Sequence, residues 1–508
     1  MAQIKLVRRE RTAPEFLGDA EQDLIINSQG AELVVLGAPG SGKSATLIRK
    51  VVALIKSGVD ANSILVITYG RERAADIRDE IVLQTGATAF EPLVRTFHSL
   101  AFSIINYQLT PNDPTYVLIS GAEQDSFIKD LLETQISQNL WPENLKEALK
   151  TRGFAREIRD LILRAQERRL TPEILENKSD ELKESLWGSA AKFWRSYSRS
   201  LVIAGHNVID AKRRVDSSQI ITEAITRLEK SPELVGKLRE QFKYILIDEF
   251  QESDKAQRDL LDLIRGRELT LFLDSDSAIG VFRGADPEGA LQYVSDKKFK
   301  SVMLKNNYRS AKEINELAAD IASRFKGAQR KRGIEDLVSS KGITVEKLAS
   351  AGECATYIAS AFKSAHLKAG VPWSEMAVLL RSPGPSVTAL ARAFALQNIP
   401  VEVDTSALAL GENPAIRPLI LITQIVLGQV NLELKNWNLI SDLLLSAYGG
   451  ADALSMRNMK LLLADTRADG EVKSTSEIVL DILDGEVAPV ELEQLMRSEE
   501  HTSELQSH

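Results

Sequence analysis

Residues 33–44 read LVVLGAPGSGKS, and this stretch decides the fold. A run of β-branched and leucine residues ends at Gly37, four residues separate it from Gly42, Lys43 and Ser44, and the amphipathic run ATLIRKVVALIK follows at 45–56. That order is strand, loop, helix. The loop Gly37, Ala38, Pro39, Gly40, Ser41, Gly42 can turn its backbone N–H groups toward one phosphate only because glycines permit the tight path. The following helix adds the partial positive charge of its N-terminus. Lys43 is placed as a point charge for β- and γ-phosphates, and Ser44 as a hydroxyl ligand to Mg2+.

A second stretch complements it. Residues 241–252 read QFKYILIDEFQE, in which an apolar strand at 244–247 delivers Asp248 and Glu249 to its C-terminal end, the edge where parallel sheets bind ligands. Asp248 suits Mg2+, and Glu249 suits orienting and deprotonating an attacking water. An acidic pair at a strand end is often only a solvated turn. Paired with a phosphate loop some 200 residues earlier, it reads as the other half of an ATP-hydrolysing site in an α/β protein.

At 508 residues the chain is too long for one core and is expected to form roughly three or four domains, which excludes a small binding module. Its 44% apolar and 26% charged residues are ordinary for a globular protein. The longest apolar stretch, 419–427, is broken by Thr423 and Gln424 and falls short of the roughly 20 residues that span a bilayer. No signal-peptide run opens the chain, and Cys354 is the single cysteine, so no internal disulfide forms and a cytoplasmic protein without membrane contact is expected. The net charge of −8 is not that of a strongly basic nucleic-acid binder, although a local basic groove can sit on an acidic body.

Further motifs stand around these two. FLGDAEQDLI (16–25) precedes the loop; ILVITYGRERAADI (64–77) and VRTFHSLAFSII (94–105) follow it; Asp248-Glu249-Phe250-Gln251 is followed by LDSDSAIGVFRGA (273–285) and LKNNYRSAKEI (304–314). In this order the set resembles the superfamily 1 helicases of the UvrD/Rep type. The resemblance implies ATP and Mg2+ as cofactors, and single-stranded and tailed duplex DNA as partners. It makes Gln22 a reader of the adenine edge, Tyr308 an aromatic face for adenine, and Arg309 a guanidinium against the γ-phosphate. Gln251 joins Lys43, Asp248, Glu249 and Arg309 as catalytic. Thr68, Tyr69, Thr96, Phe97, His98, Phe282 and Arg283 would line a single-strand track, with Tyr69, Phe97 and Phe282 as stacking rings. The chain departs from the family pattern at Gly70 and Arg71, where threonine and asparagine are usual. It departs again at Ser277, where a γ-phosphate-sensing glutamine is expected, and at Gly280, where a second aromatic is expected. This partial degeneration resembles the AdnA-type subunit of actinobacterial helicase-nucleases, which would add a second subunit as partner.

The resemblance also implies two RecA-like P-loop domains with helical insertions. Domain 1A would use 1–107 and 236–302, insertion 1B 108–235, the start of domain 2A 303–430, and part of insertion 2B 431–496. Within 1B, Arg152, Arg156 and Arg159 recur at helical spacing; a solvated face is favoured over phosphate contacts. Within 2A, MAVLLRS (376–382), LARAFALQ (390–397) and VEVD (401–404) read as strand, helix, strand. Residues 497–507, RSEEHTSELQS, resemble a reading-frame translation of a sequencing adapter, so 497–508 is expected to be an artefact and the natural chain to continue. The family's motifs V and VI are not found, so this N-terminal fragment is expected to keep a nucleotide site and to be inactive in unwinding. Three functions follow: an ATP-driven 3′ to 5′ DNA translocase and helicase in repair or recombination, a non-motor P-loop switch, or a catalytically weakened subunit supporting an active partner.

Overall fold

The computed structural model describes residues 18–30, 32–86, 94–107, 115–137, 141–207, 210–325, 342–381, 385–402, 416–427 and 443–446. The expected 2B segment lies outside them except for 443–446, as do residues 497–508. The residues group into two compact units dividing between Thr344 and Val345. Tyr308, Arg309 and the helix Lys312–Ala322, which the sequence reading put at the start of 2A, therefore fall in the first unit.

In chain order the strands are β1 (Glu32–Leu36), β2 (Ile64–Ile67), β3 (Val94–Arg95), β4 (Thr115–Leu118), β5 (His206–Asn207), β6 (Asp210–Val215), β7 (Tyr244–Ile247), β8 (Glu268–Leu273) and β9 (Lys300–Met303). Six of them form one parallel sheet in the order β3-β2-β7-β8-β1-β9. Helices cover both of its faces, which is why β2, β7 and β8 read as nearly unbroken apolar runs rather than alternating ones. One face packs Phe97, Leu100, Ile104, Ile225, Phe250 and Leu260. The other packs Ile25, Leu47, Val51, Ile77, Phe272 and Leu304. The register pairs Leu36 with Leu273, Ile67 with Ile247, and Ile247 with Leu271. The C-terminal ends of β1, β2, β7 and β8 are thus level, and the loops after them meet along one edge.

The helix after the glycine loop, Lys43–Lys56, buries Thr46, Leu47, Lys50, Val51 and Leu54, the stripe its spacing predicts. Lys50 is the surprise in that stripe. Its Nζ lies 2.8 Å from Glu268 Oε1 with both side chains sealed from solvent, and it also donates to Ile25 O and Ser28 O. Burial lowers its pKa against the pull of Glu268.

Residues 115–215 build a separate, mostly helical body around Ile158, Ile162, Phe193, Trp194 and Tyr197. It also holds a small sheet, β4-β6-β5, that was not expected. β6 reads DAKRRV, and so polar a strand is legible only from its partner. The expected return to domain 1A at residue 236 is too late. Val215, Ile220, Ala224, Ile225 and Leu228 pack into the same core as Leu100 and Ile104, so the helix Ser217–Lys230 already belongs to the large sheet. Amphipathic spacing shows that a helix has a buried face, not which core receives it.

In the second unit the helices Ala351–Ala369 and Pro385–Leu396 pack through Ala355, Ala359, Leu390, Ala393 and Phe394. The helix expected over LARAFALQ is present. Among the described residues the strand expected at 376–382 is not found: residues 376–380 form no ladder there, Leu379 is 94% exposed, and Ser382 lies outside them. The first two residues of VEVD are likewise unpaired, and the other two lie outside the described residues. Composition favours an extended backbone here, but a strand needs a neighbour.

Candidate nucleotide site and nucleic-acid track

The loop after β1 is shaped by two glycines in the left-handed region, Gly40 at φ +86° and Gly42 at φ +84°. A Cβ at Gly40 would lie 2.4 Å from Asn307 Oδ1, and one at Gly42 2.6 Å from Gln22 Nε2, so a side chain at either would displace those groups as well as strain the backbone. Lys43 is buried and donates to Gly37 O at 2.8 Å. Asn307 clasps the loop from the other side. Its Nδ2 donates to Pro39 O at 2.9 Å, while its Oδ1 accepts from the backbone N–H of Arg309 and Ser310. The Tyr308 N–H donates to Gly40 O at 2.8 Å. The turn carrying Tyr308 and Arg309 is thus bonded directly to the phosphate loop. Sequence reading missed Asn307; its only signal was a second asparagine ahead of the tyrosine.

The carboxylates sit where the register puts them. Ser44 Oγ lies 3.2 and 3.1 Å from the two oxygens of Asp248. Burial, and then the neighbouring Glu249 charge, pushes the Asp248 carboxyl up, while Arg73, Ser44 and Lys43 pull it down. Glu249 takes the left-handed conformation, φ +51°, a strain of about 1–3 kcal/mol that aims its side chain away from the strand line. Gln251 Nε2 donates to Glu249, and Gln251 Oε1 accepts from the Asp274 N–H at 3.0 Å. One buried glutamine therefore ties the end of β7 to the end of β8. A cleft of about 510 Å3 opens here, with Lys43, Ser44, Glu249, Ser277, Arg309 and Arg73 on its walls. A hydroxyl and a carboxylate in contact beside a phosphate cradle form the donor set that Mg2+ accepts, since it is usually held by one or two carboxylates together with phosphates.

At the outer mouth of the loop stand Gln22 and Tyr308. Gln22 is buried; its Oε1 accepts from the Asp19 N–H and its Nε2 donates to Ser41 O. Tyr308 is half exposed, donates to Asp19 Oδ2 at 2.8 Å, and lies beside Gly42. A flat ring is thus available next to the phosphate cradle, with a glutamine behind it.

The expected DNA track divides by burial. Phe282 is 73% exposed with the Arg283 guanidinium over its ring at 5.0 Å, and His98 is exposed. Tyr69 is half-buried and donates to Gln257 Oε1. Thr96 caps the helix Phe97–Ile105 by accepting from the Ser99 N–H. Thr68 is fully buried and its hydroxyl makes no hydrogen bond, so it offers nothing to a nucleic acid in this conformation. Phe97 corrects the sequence reading. It is 2% exposed and packs with Leu100, Ala101 and Ile104 on the inner face of its helix, so no base can stack on it. The i, i+3, i+4, i+7 spacing of those four residues carried that signal. In the insertion, Arg156 and Arg159 pair with Asp125 as a solvated face.

Gly280 also has a structural explanation. Glu252 accepts from the N–H groups of Ile279 and Gly280, and a Cβ at 280 would lie 2.2 Å from the Glu252 carboxylate. The turn that presents Phe282 is held by that carboxylate, which a side chain at 280 would displace. A second tie comes from the insertion, where Arg164 donates to Phe282 O at 3.1 Å.

A parallel sheet whose first strand feeds a glycine loop, and whose neighbours bring two carboxylates to the same edge, defines a RecA-like P-loop nucleotide-binding protein. Residues 19–298 match the UvrD/REP helicase N-terminal domain and residues 302–408 the UvrD-like helicase C-terminal domain. The chain belongs to the UvrD/Rep helicase family. It is 25% identical over 391 residues to the ATP-dependent DNA helicase PcrA of Staphylococcus epidermidis, covering 75% of this chain and 50% of that protein. It is 27% identical over 323 residues to the ATP-dependent DNA helicase UvrD1 of Mycobacterium tuberculosis, covering 61% and 40% respectively. A probable DNA helicase II homolog of Mycoplasma capricolum is 25% identical over 377 residues, covering 72% and 49%. The chain spans about half the length of these relatives, or less.

Proposed function

We propose that the chain binds Mg·ATP at residues 37–44 and hydrolyses it to drive 3′ to 5′ movement along single-stranded DNA, separating duplex during repair, in the cytoplasm. The observation that carries this is the meeting of Ser44, Asp248 and Glu249 beside a phosphate loop that is clasped by the Tyr308–Arg309 turn. Lys43 neutralises phosphate charge. Glu249, oriented by Gln251, takes a proton from the attacking water as its oxygen bonds to the γ-phosphorus and the bond to the β–γ bridging oxygen breaks, leaving ADP and phosphate. Arg309 meets charge that grows on the γ-phosphoryl group. Mg2+ held by Ser44 and Asp248 would supply further positive charge to the phosphate oxygens. The Gln251 bridge and the Glu252-held turn connect this cleft to Phe282 and Arg283, the exposed pair suited to stack on and hold a single strand.

One observation favours a weaker motor that supports a second helicase-nuclease subunit. Ser277 is short, and its hydroxyl is turned back onto Asp274 O at 3.1 Å, so the glutamine expected to sense the γ-phosphate has no equivalent at that position. The experiment that tests the main reading is ATP turnover with and without single-stranded DNA, alongside strand displacement from 3′- and 5′-tailed duplexes. DNA-stimulated turnover is expected of the protein with motifs V and VI in place, with displacement there favouring the 3′ tail. Lys43→Ala should abolish nucleotide binding, while Glu249→Gln should still bind Mg·ATP and turn over at least a hundredfold more slowly. Turnover unchanged in Lys43→Ala would refute the site.

A further inference from the structure

The helix Arg71–Thr85 begins where β2 ends, on the sheet edge that carries the phosphate loop and the carboxylates. Its third residue, Arg73, reaches into the nucleotide cleft, whose walls it shares with Lys43, Ser44, Glu249, Ser277 and Arg309. Its Nε stands 3.7 Å from Asp248 Oδ2. That is a charge contact and too long for a hydrogen bond. The Arg73 side chain is 43% exposed while Asp248 is fully buried, so the guanidinium projects into the open cleft with donors still available.

The opposite wall is deficient. Ser277 lines the same cleft, but its hydroxyl donates to Asp274 O, and it carries no charge to set against a phosphate. The end of the cleft beside Asp248 and Glu249 therefore has one cationic fork at hand that neither motif reading assigned. A guanidinium is suited to this place, because two of its N–H groups can bond two oxygens of one phosphoryl group at once.

We propose that Arg73 bonds the terminal phosphoryl group of the bound nucleoside triphosphate and so sets the preference of the site for ATP over ADP. The proposal rests on the reading of residues 37–44 as an Mg·ATP loop. Arg73 supplies from the β2 side the contact that Ser277 cannot make from the β8 side. Because the contact is with the last phosphoryl group alone, its loss falls on ATP and spares ADP.

The test is titration of the unaltered chain, Arg73→Gln, Arg73→Lys and Lys43→Ala with Mg·ATPγS and separately with Mg·ADP. Arg73→Gln is expected to weaken ATPγS binding about tenfold or more, the scale for a hydrogen bond to a charged group, and to change ADP binding less than twofold. Arg73→Lys should recover part of the loss. Retained ADP affinity also shows that the variant site is folded. Equal losses for both nucleotides would overturn the proposal in favour of a role in holding Asp248, and no loss for either would overturn it outright. Failure of the unaltered chain to bind either nucleotide would remove the underlying reading and the proposal with it, while Lys43→Ala losing both nucleotides leaves that reading standing.

Discussion

Phe282 and Phe97 lie in two motifs that read alike, yet the structure gives them opposite positions. Phe282 stands 73% exposed beside Arg283, and Phe97 is 2% exposed in the core. Phe282→Ala is therefore expected to weaken single-stranded DNA binding by about 1–3 kcal/mol, the scale of one lost base stack, with thermal stability unchanged. Phe97→Ala should instead lower the unfolding free energy by about 3–5 kcal/mol, because it empties a packed site. Denaturant unfolding beside DNA titration separates the two. A loss of DNA affinity in a fully stable Phe97→Ala would return that ring to the track. Both rings were visible in the sequence as aromatic residues in motifs, but exposure belongs to the packing.

At the scale of elements, the contact between the helix Arg152–Glu167 and the turn at 281–284 joins the helical body to the turn that presents Phe282. Arg164 donates to Phe282 O and pairs with Glu167 at 2.9 Å, and Gly284, at φ +96°, leaves room for the Glu167 carboxylate. Burial pushes Glu167 up to about 8, against the pull of Arg164. Burial likewise raises Asp254 and Asp216 to about 6 each. These carboxyls hold protons more tightly folded than unfolded, so the stability they contribute is complete below the unfolded carboxylate pKa. It is lost progressively as pH rises above that value, the loss ending at about 6 for the two aspartates and at about 8 for Glu167. The thermal midpoint is expected to fall between about pH 4 and pH 8 and to level off above, and Glu167→Gln, which stays neutral, should remove the part of the decline between pH 6 and pH 8. An identical decline in Glu167→Gln would show that Glu167 is ionised throughout. None of this was legible in REIRDLILRAQERRL, which shows an amphipathic helix but not the loop it meets.

The whole molecule carries a net charge of −8, so on the proposed function any attraction to a phosphate backbone has to be local. Binding is expected to fall steeply as salt rises and to vary little among strands of different sequence, since stacking and backbone charge do not read bases. A flat salt dependence, or strong preference for one sequence, would count against a translocation track. The amino-acid sequence by itself determined the phosphate loop, the strand that carries Asp248 and Glu249, and the α/β class. Those features follow from chain-local rules: glycines at fixed offsets, unbroken apolar runs for strands buried on both faces, and amphipathic spacing for helices. Only the tertiary structure decided that Asn307 clasps the loop, that Arg73 shares the cleft, that Phe97 is core, and that the helix Ser217–Lys230 packs on the large sheet. It also decided that DAKRRV is a strand while 376–380, among the described residues, are in none. Each of these depends on a partner far away in the chain, and strand pairing, burial and cleft geometry are properties of two segments meeting, which no single segment encodes.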